Sequence, residues 1–225
     1  LSKALFPIGN LQKAEVRAIA KEIGLVTAEK KDSQGLCFVG KISLPEFLQQ
    51  KLQVKHGNII EINENNDQFI SYSSIPVNLE NVVELSKEFI YSPAMGIEVE
   101  KHIGAHYYTI GQRKGLHIGG RPNPSFVIGI DTETNTVYSG QKDEHPGLNK
   151  WALKIETNEM HWINPLYEMN IGDQKEFSVR IRYRQALQKG TLTRLKDGCY
   201  ILFDKKQRGI APGQFAALYI NEELV

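Results

Sequence analysis

At Gly57 the periodicity of this 225-residue chain changes. Before it, apolar residues recur at helical spacing. After it, they alternate with polar residues in short runs closed by glycine, asparagine and aspartate. Val16, Ile19, Ala20 and Ile23 stand at i, i+3, i+4 and i+7, and charged residues fill the other faces, so 13–23 is predicted as a helix that Gly24 stops. Ser43-Leu44-Pro45-Glu46 has capping-box spacing and predicts a second helix to about Leu52, with Phe47, Leu48 and Leu52 inward. Two helices bury too little surface to form a domain alone. With Leu1 inside a helical pattern, the chain is expected to belong to something longer.

From Gly57 the pattern reads as β. Gly57–Ile62 is a predicted strand closed by a polar turn over 63–67. Residues 79–89, with Val82, Val83, Leu85 and Phe89, read as a helix, and 68–94 as a whole as an elaborated surface loop. Residues 126–130 and 135–139 form a predicted hairpin, and Glu144-His145-Pro146-Gly147 then punctuates the chain. Beyond it, 153–157, 176–184, 191–196, 200–203 and 215–220 are predicted strands at the short spacing of a small barrel. The expected fold is mainly β with N-terminal helices, an α+β chain in three parts. These are a helical part over 1–53, a β-rich central domain over 54–147 with an insertion at 68–94, and a C-terminal β-barrel over 148–225.

Charge and cysteine usage narrow the function. With 27 basic and 26 acidic residues the net charge is +1, so any nucleic-acid contact must come from a local patch. Two cysteines make no disulfide framework, and no Cys-x-x-Cys offers a zinc site, so a reducing cytoplasmic setting is expected. No apolar run approaches the ~20 residues of a membrane span. No signal peptide and no membrane contact are expected. The six histidines show no metal-ligand spacing, and no metal site is expected.

Three stretches carry candidate chemistry. Cys37 lies between Gly35 and Gly40 and follows Lys30, Lys31 and Asp32. Nearby cations favour the reactive thiolate, whereas Leu36-Cys37-Phe38 also reads as a plain apolar run around a small buried thiol. Gly111-Gln112-Arg113-Lys114-Gly115 lacks the Gly-Lys-Ser/Thr ending of a phosphate loop. It is a tight turn with two adjacent cations, able to lie against a phosphate chain or simply solvated. In the predicted strand 177–184, Arg180, Arg182 and Arg184 would share one face about 7 Å apart, suited to RNA phosphates or to an ordinary solvated face. Cys199, at a turn into a strand, reads as structural.

Lys30-Lys31-Asp32-Ser33-Gln34-Gly35-Leu36-Cys37-Phe38-Val39-Gly40 closely resembles the second cysteine motif of the tRNA-specific 2-thiouridylases, the MnmA/TrmU family. Leu5-Phe6-Pro7-Ile8-Gly9-Asn10-Leu11 with Glu15-Val16-Arg17 resembles the segment before that motif. Tyr108-Thr109-Ile110-Gly111-Gln112-Arg113-Lys114-Gly115-Leu116 resembles the central-domain signature. Arg182-Tyr183-Arg184-Gln185 and Ala211-Pro212-Gly213-Gln214 resemble the C-terminal barrel. The matches follow the family's order over most of the chain.

The resemblance implies that 1–53 is the helical end of a PP-loop ATP-binding α/β domain whose phosphate loop and first catalytic cysteine are not among these residues. It implies a transferase that uses ATP, with Mg, to activate the C2 oxygen of the anticodon wobble uridine in tRNA. Cys37 would carry the sulfur as a persulfide, loaded by an upstream sulfur-donor protein or cysteine desulfurase and resolved by disulfide formation with the absent cysteine. It also implies tRNA contacts at Arg182, Tyr183 and Gln214, with Arg113, Lys114, Arg180 and Arg184 as further candidates. Regular alternation would point Arg182 and Tyr183 in opposite directions, so contact by both requires the strand to bulge, end or lie at an edge. These 225 residues alone are expected to be inactive. A non-catalytic RNA-binding β-barrel with an inert Cys37 fits the same sequence beyond Gly57. A thiol redox domain fits less well, without Cys-x-x-Cys or a βαβ order.

Overall fold

A computed structural model of the chain describes residues 4–30, 54–183 and 185–225. Cys37, Arg184 and the predicted helix over 43–52 lie outside the described residues. The chain divides into two compact units, Leu1–Gln53 and Val54–Val225. In the first, α1 spans Lys13–Glu22. The Gln12 amide donates to the Glu15 carboxylate at 2.6 Å and closes its N-terminus. At the other end Gly24 takes φ +71°, its amide donates to Lys21 O at 3.1 Å, and the Leu25 amide donates to Ala20 O at 2.8 Å. That double closure needs a left-handed residue, which is why the helix stops at a glycine.

The second unit is mostly β, with two sheets and a few short helices, so the chain is α+β. The first sheet contains β1 (Gly57–Ile62), β2 (Gly96–His102), β3 (Ser125–Asp131) and β4 (Thr136–Gln141) in the order β2-β1-β4-β3. β1 runs parallel to β4 and antiparallel to β2. Both faces of β1 are covered. Ile60 and Ile62 pack with Phe69, Phe126, Ile128, Tyr138 and Leu148, while Ile59 packs with Ala105, Leu116, Val127 and Val137. Consecutive isoleucines suit a strand buried on two sides.

The segment expected to be a surface loop is instead core. It forms α2 (Asp67–Ser73), a 3-10 turn (Leu79–Asn81) and α3 (Val82–Ser86). Phe69, Tyr72, Val82 and Leu85 are buried. The Phe69 ring meets Phe89 edge-on at 4.9 Å and His145 at 5.1 Å. The Tyr72 hydroxyl accepts from the Trp151 amide at 2.8 Å and donates to Leu85 O at 3.1 Å. The predicted helix over 79–89 ends early because Lys87 turns extended, with ψ 139°.

The second sheet contains β5 (Asn149–Ile155), β6 (Gln174–Arg180), β7 (Gln188–Leu195), β8 (Gly198–Arg208), β9 (Ala217–Ile220) and β10 (Glu223–Leu224). It is antiparallel throughout, in the order β10-β9-β6-β7-β8-β5. Phe177, Val179, Leu192, Ile201, Phe203 and Leu218 form its core with Cys199, which is 1% exposed. Two sequence expectations are corrected here. β8 runs on through Asp204-Lys205-Lys206 to Arg208, because pairing of Asn149 and Lys150 with Arg208 and Gln207 holds the polar end extended. β6 stops at Arg180, so Arg180 and Arg182 do not share a regular strand face. Helix α3 is fastened to β5 by Lys150, whose buried Nζ donates to Ser86 O at 3.0 Å. Burial lowers its pKa to about 8.

The first prediction concerns α2. Phe69→Ala should destabilise the protein by about 3–5 kcal/mol in chemical denaturation. A surface loop would yield no more than about 0.5 kcal/mol.

The second concerns acid. His102 and His145 are buried, their Nδ1 atoms accept the Gly104 and Gly147 amides at 3.0 and 3.1 Å, and burial lowers both imidazole pKa values. The unfolded chain therefore binds more protons than the folded one just below its histidine pKa. Stability should be full above about pH 6.5 and fall as pH drops below it. Thermal melts from pH 7.5 to 5.5 should show this fall, and His145→Gln should flatten it. An unchanged melting temperature would contradict the assignment.

Candidate nucleic-acid interface

The glycine turn of the central sheet is built from its own backbone. The Gly111 amide donates to Val127 O at 2.8 Å and the Val127 amide to Gln112 O at 2.9 Å, so the turn docks along β3. The Gln112 side chain braces it from inside, accepting from the Thr109 amide at 3.1 Å and donating to Lys114 O at 2.8 Å. Gly111 and Gly115 both take φ +85°, a conformation that suits glycine. Leu116 is buried beneath the turn, which leaves Arg113 and Lys114 exposed. A cleft of about 390 Å³ beside them is lined by Arg113, His117, Arg121 and Ser125 among others.

The barrel sheet supplies a second group. Arg180, the last residue of β6, pairs with Ala217, the first of β9. The segment after β6, with Arg182 and Tyr183, and the segment before β9, with Gln214 and Phe215, therefore leave the same end of the sheet. Tyr183 is 89% exposed and Phe215 92% exposed, and Gln214 is exposed beside them in sequence. The turn at this end is local: the Gln185 amide donates to Arg182 O at 3.0 Å, and its side chain accepts from the Ile181 amide at 3.2 Å. This turn removes the strict alternation that would have set Arg182 and Tyr183 on opposite faces. Arg180 stays in the sheet, its guanidinium 5.6 Å from the Tyr219 ring.

Arg182 and Arg208 bring the two groups together. Arg182 Nη2 donates to Gly209 O at 2.7 Å. Arg208 reaches from the end of β8 to the central sheet. Its Nη2 lies 3.0 Å from the Asp143 carboxylate and 3.5 Å from Gly111 O, and its guanidinium lies 4.9 Å from the Phe126 ring centre. The adjacent Gly209 amide donates to Leu148 O at 2.6 Å. Burial, and next the neighbouring Arg208, lower the Arg182 pKa. The turn of one sheet and the barrel end of the other thus form one cationic junction. Arg208, Gly209 and Asp143 lie outside the motifs that the sequence marks as candidate contacts. The run Lys205-Lys206-Gln207-Arg208 was the available signal, but only the fold shows which of its cations turns inward. Among the described residues no group of three His, Cys, Asp or Glu side chains is arranged to hold a metal, and no helix is long and apolar enough to cross a membrane.

Comparison with known proteins assigns each part a relative. Residues 1–41 match the family described as the tRNA methyl transferase HUP domain. Residues 78–141 match the tRNA methyl transferase PRC-barrel domain, and 153–225 the aminomethyltransferase beta-barrel domain. The class is therefore a HUP-type segment followed by two β domains, a series shared with proteins that act on tRNA. Over its whole length the chain is 52% identical to the tRNA-specific 2-thiouridylase MnmA of Flavobacterium johnsoniae and 49% identical to that of Christiangramia forsetii, in each case covering 57% of the relative. It is 34% identical over 99% of its length to the same enzyme of Pseudomonas syringae, covering 50% of it. The chain spans about half the length of the curated relatives it matches. It belongs to the MnmA/TrmU family of tRNA-specific 2-thiouridylases.

The junction yields a third prediction. Gly209 has φ +63°, and a Cβ there would collide with Arg182 Nη2. Gly209→Ala should lower stability by about 1 kcal/mol or more. It should also speed exchange of the Arg182 guanidinium protons with solvent, as read by NMR. Wild-type exchange would show that Arg182 is not held on Gly209.

Proposed function

We propose that this chain is the sulfur-delivering and RNA-holding portion of a tRNA-uridine 2-sulfurtransferase. The observation that carries this reading is identity of 52% along the whole chain to a protein named a tRNA-specific 2-thiouridylase. The cationic junction supports it, because the stretches that resemble the central-domain signature and the RNA-contacting barrel motif meet there. Three parts divide the work. Residues 1–53 complete an ATP-binding domain and carry Cys37, 54–147 form the central domain, and 148–225 form the RNA-binding barrel.

Each residue type suits its task. In this reading Cys37 carries a sulfane sulfur received from a sulfur-donor protein or cysteine desulfurase. That sulfur bonds to C2 of the wobble uridine as the activated oxygen departs. A second cysteine outside this chain then attacks Cys37 Sγ, breaking the S–S bond and leaving a disulfide. ATP with Mg supplies the activation, and its phosphate loop is not found in these 225 residues, so no step of that activation falls to them. On the barrel, Arg182 contacts phosphate and Tyr183 offers a stacking face, with Gln214 a neutral hydrogen-bonding group beside them. Arg113 and Lys114 extend the phosphate track, with Arg180 and Arg184 as further contacts. The protein works in the cytoplasm, where thiols stay reduced between turnovers.

The fourth prediction tests this in the full-length protein. Cys37→Ser should abolish tRNA 2-thiolation with tRNA affinity nearly unchanged, and Cys199→Ser should keep activity. Arg182→Ala should weaken binding of different tRNAs by similar factors and reduce the salt slope by about one. Tyr183→Ala should remove about 1–3 kcal/mol with little change in that slope. Thiolation by Cys37→Ser would overturn the sulfur assignment and favour an RNA-binding module with an inert cysteine.

A further inference from the structure

The junction holds more positive charge than the protein neutralises. Among the described residues, the carboxylate within ion-pair distance of either guanidinium is that of Asp143, whose side chain is 64% exposed. The rest of the support comes from neutral groups: Gly209 O for Arg182, and Gly111 O with the Phe126 face for Arg208. Arg208 Nε is buried with no hydrogen-bond partner. Two like charges near each other in a half-buried site repel, and Gly209 O, Gly111 O, the Phe126 ring and the Asp143 carboxylate hold them there.

Gly111, with no side chain, leaves the space between the two guanidiniums open on its side. The position its missing Cβ would occupy lies 3.6 Å from Arg182 Nη2 and 3.6 Å from Arg208 Nη1, and no other group outside the turn's own neighbours comes closer. The two nitrogens are therefore no more than about 7 Å apart. One phosphate group, accepting a charge-assisted hydrogen bond of about 2.8 Å on each side, spans such a gap. A side chain at Gly111 would fill it.

We propose that Arg208 and Arg182, across the open backbone of Gly111, form a two-domain site for a single RNA backbone phosphate, and that Asp143 occupies Arg208 as an internal competitor until RNA arrives. This rests on the tRNA-binding reading above and adds residues and a mechanism to it. The phosphate would bind at Arg208 Nη1, beside the Nη2 that the exposed Asp143 carboxylate holds, and its charge would displace that carboxylate and relieve the repulsion between the guanidiniums. Because Arg208 also holds the glycine turn, the same phosphate would lock the central turn to the barrel end. Arg113, Lys114 and Tyr183 would then lie on one continuous path.

The test is salt-titrated binding of tRNA to the full-length protein and to single variants. Arg208→Gln should weaken binding about tenfold and lower the salt slope by about one. Arg208→Lys should fall between, because it keeps the charge and loses the fork. Asp143→Asn gives the opposite sign: with the competitor neutralised, tRNA should bind about two- to fivefold tighter, the range of one exposed ion pair. A purely structural Arg208–Asp143 pair predicts the reverse, a lower melting temperature with no gain in affinity, and that result would overturn the proposal even if Arg208→Gln failed to fold. Stabilisation of the wild type by inorganic phosphate, with tRNA affinity unchanged in Asp143→Asn, would mark a small-anion site and also overturn it. No tRNA binding by the wild type would defeat the functional reading itself, a failure distinct from normal wild-type binding with indifferent variants.

Discussion

The seam between the two sheets is the constraint on which the rest of this unit depends. Each sheet could be formed by its local alternation, but neither alone explains the placement of the candidate interface. Beside Lys150 on Ser86 O, two further polar side chains fasten the seam. Tyr72 bridges α3 and β5 through its hydroxyl, and Arg208 bridges β8 and the central sheet through Asp143, Gly111 and the Phe126 ring. Both rest on a packed apolar layer in which Phe69, Leu148, Val82, Leu85 and Tyr200 take part. A buried tyrosine with both hydroxyl roles satisfied and an arginine stacked on a ring are directional, and they fix register between the sheets where apolar contact alone would let them slide.

Function follows from that fixed register. The central-domain turn is a rigid hydrogen-bonded object that shows two cations to solvent, and the barrel end shows an aromatic ring and an amide. Neither is specific by itself. Phosphate contacts position an RNA without reading its sequence, and stacking tolerates any base. In the proposed reading, Arg208 holds them together as one surface that would orient one RNA shape. That arrangement agrees with a chain whose overall charge is nearly balanced, since the cations are concentrated in place rather than in number.

Much of the fold was legible where the signal is local. α1 declares itself by its i, i+3, i+4 spacing and Gly24, β1 by its paired isoleucines, and the β3–β4 hairpin by two apolar runs across a polar turn. What the sequence hid depends on distant partners. α2 has only two inward residues, Phe69 and Tyr72, in a polar run, too short a helix for periodicity to show. The polar half of β8 is a strand only because β5 pairs with it. β6 looked long enough to carry three arginines on one face, but Arg182 turns away to the carbonyl of Gly209, 27 residues on. The candidate interface divides the same way. Arg182, Tyr183 and Gln214 were reachable through the family resemblance, whereas Arg208 and Asp143 acquire meaning only once 97 residues of separation between Arg208 and Gly111 are closed by the fold.

The central claim is that the glycine turn and the barrel end make one RNA-facing surface. Hydrogen–deuterium exchange of the full-length protein with and without tRNA tests it most directly. The account predicts that tRNA protects 109–116, 181–185 and 207–215 together, with the same dependence on tRNA concentration. Protection of the barrel end with the turn unchanged, or protection confined to other faces such as 163–172, would contradict it.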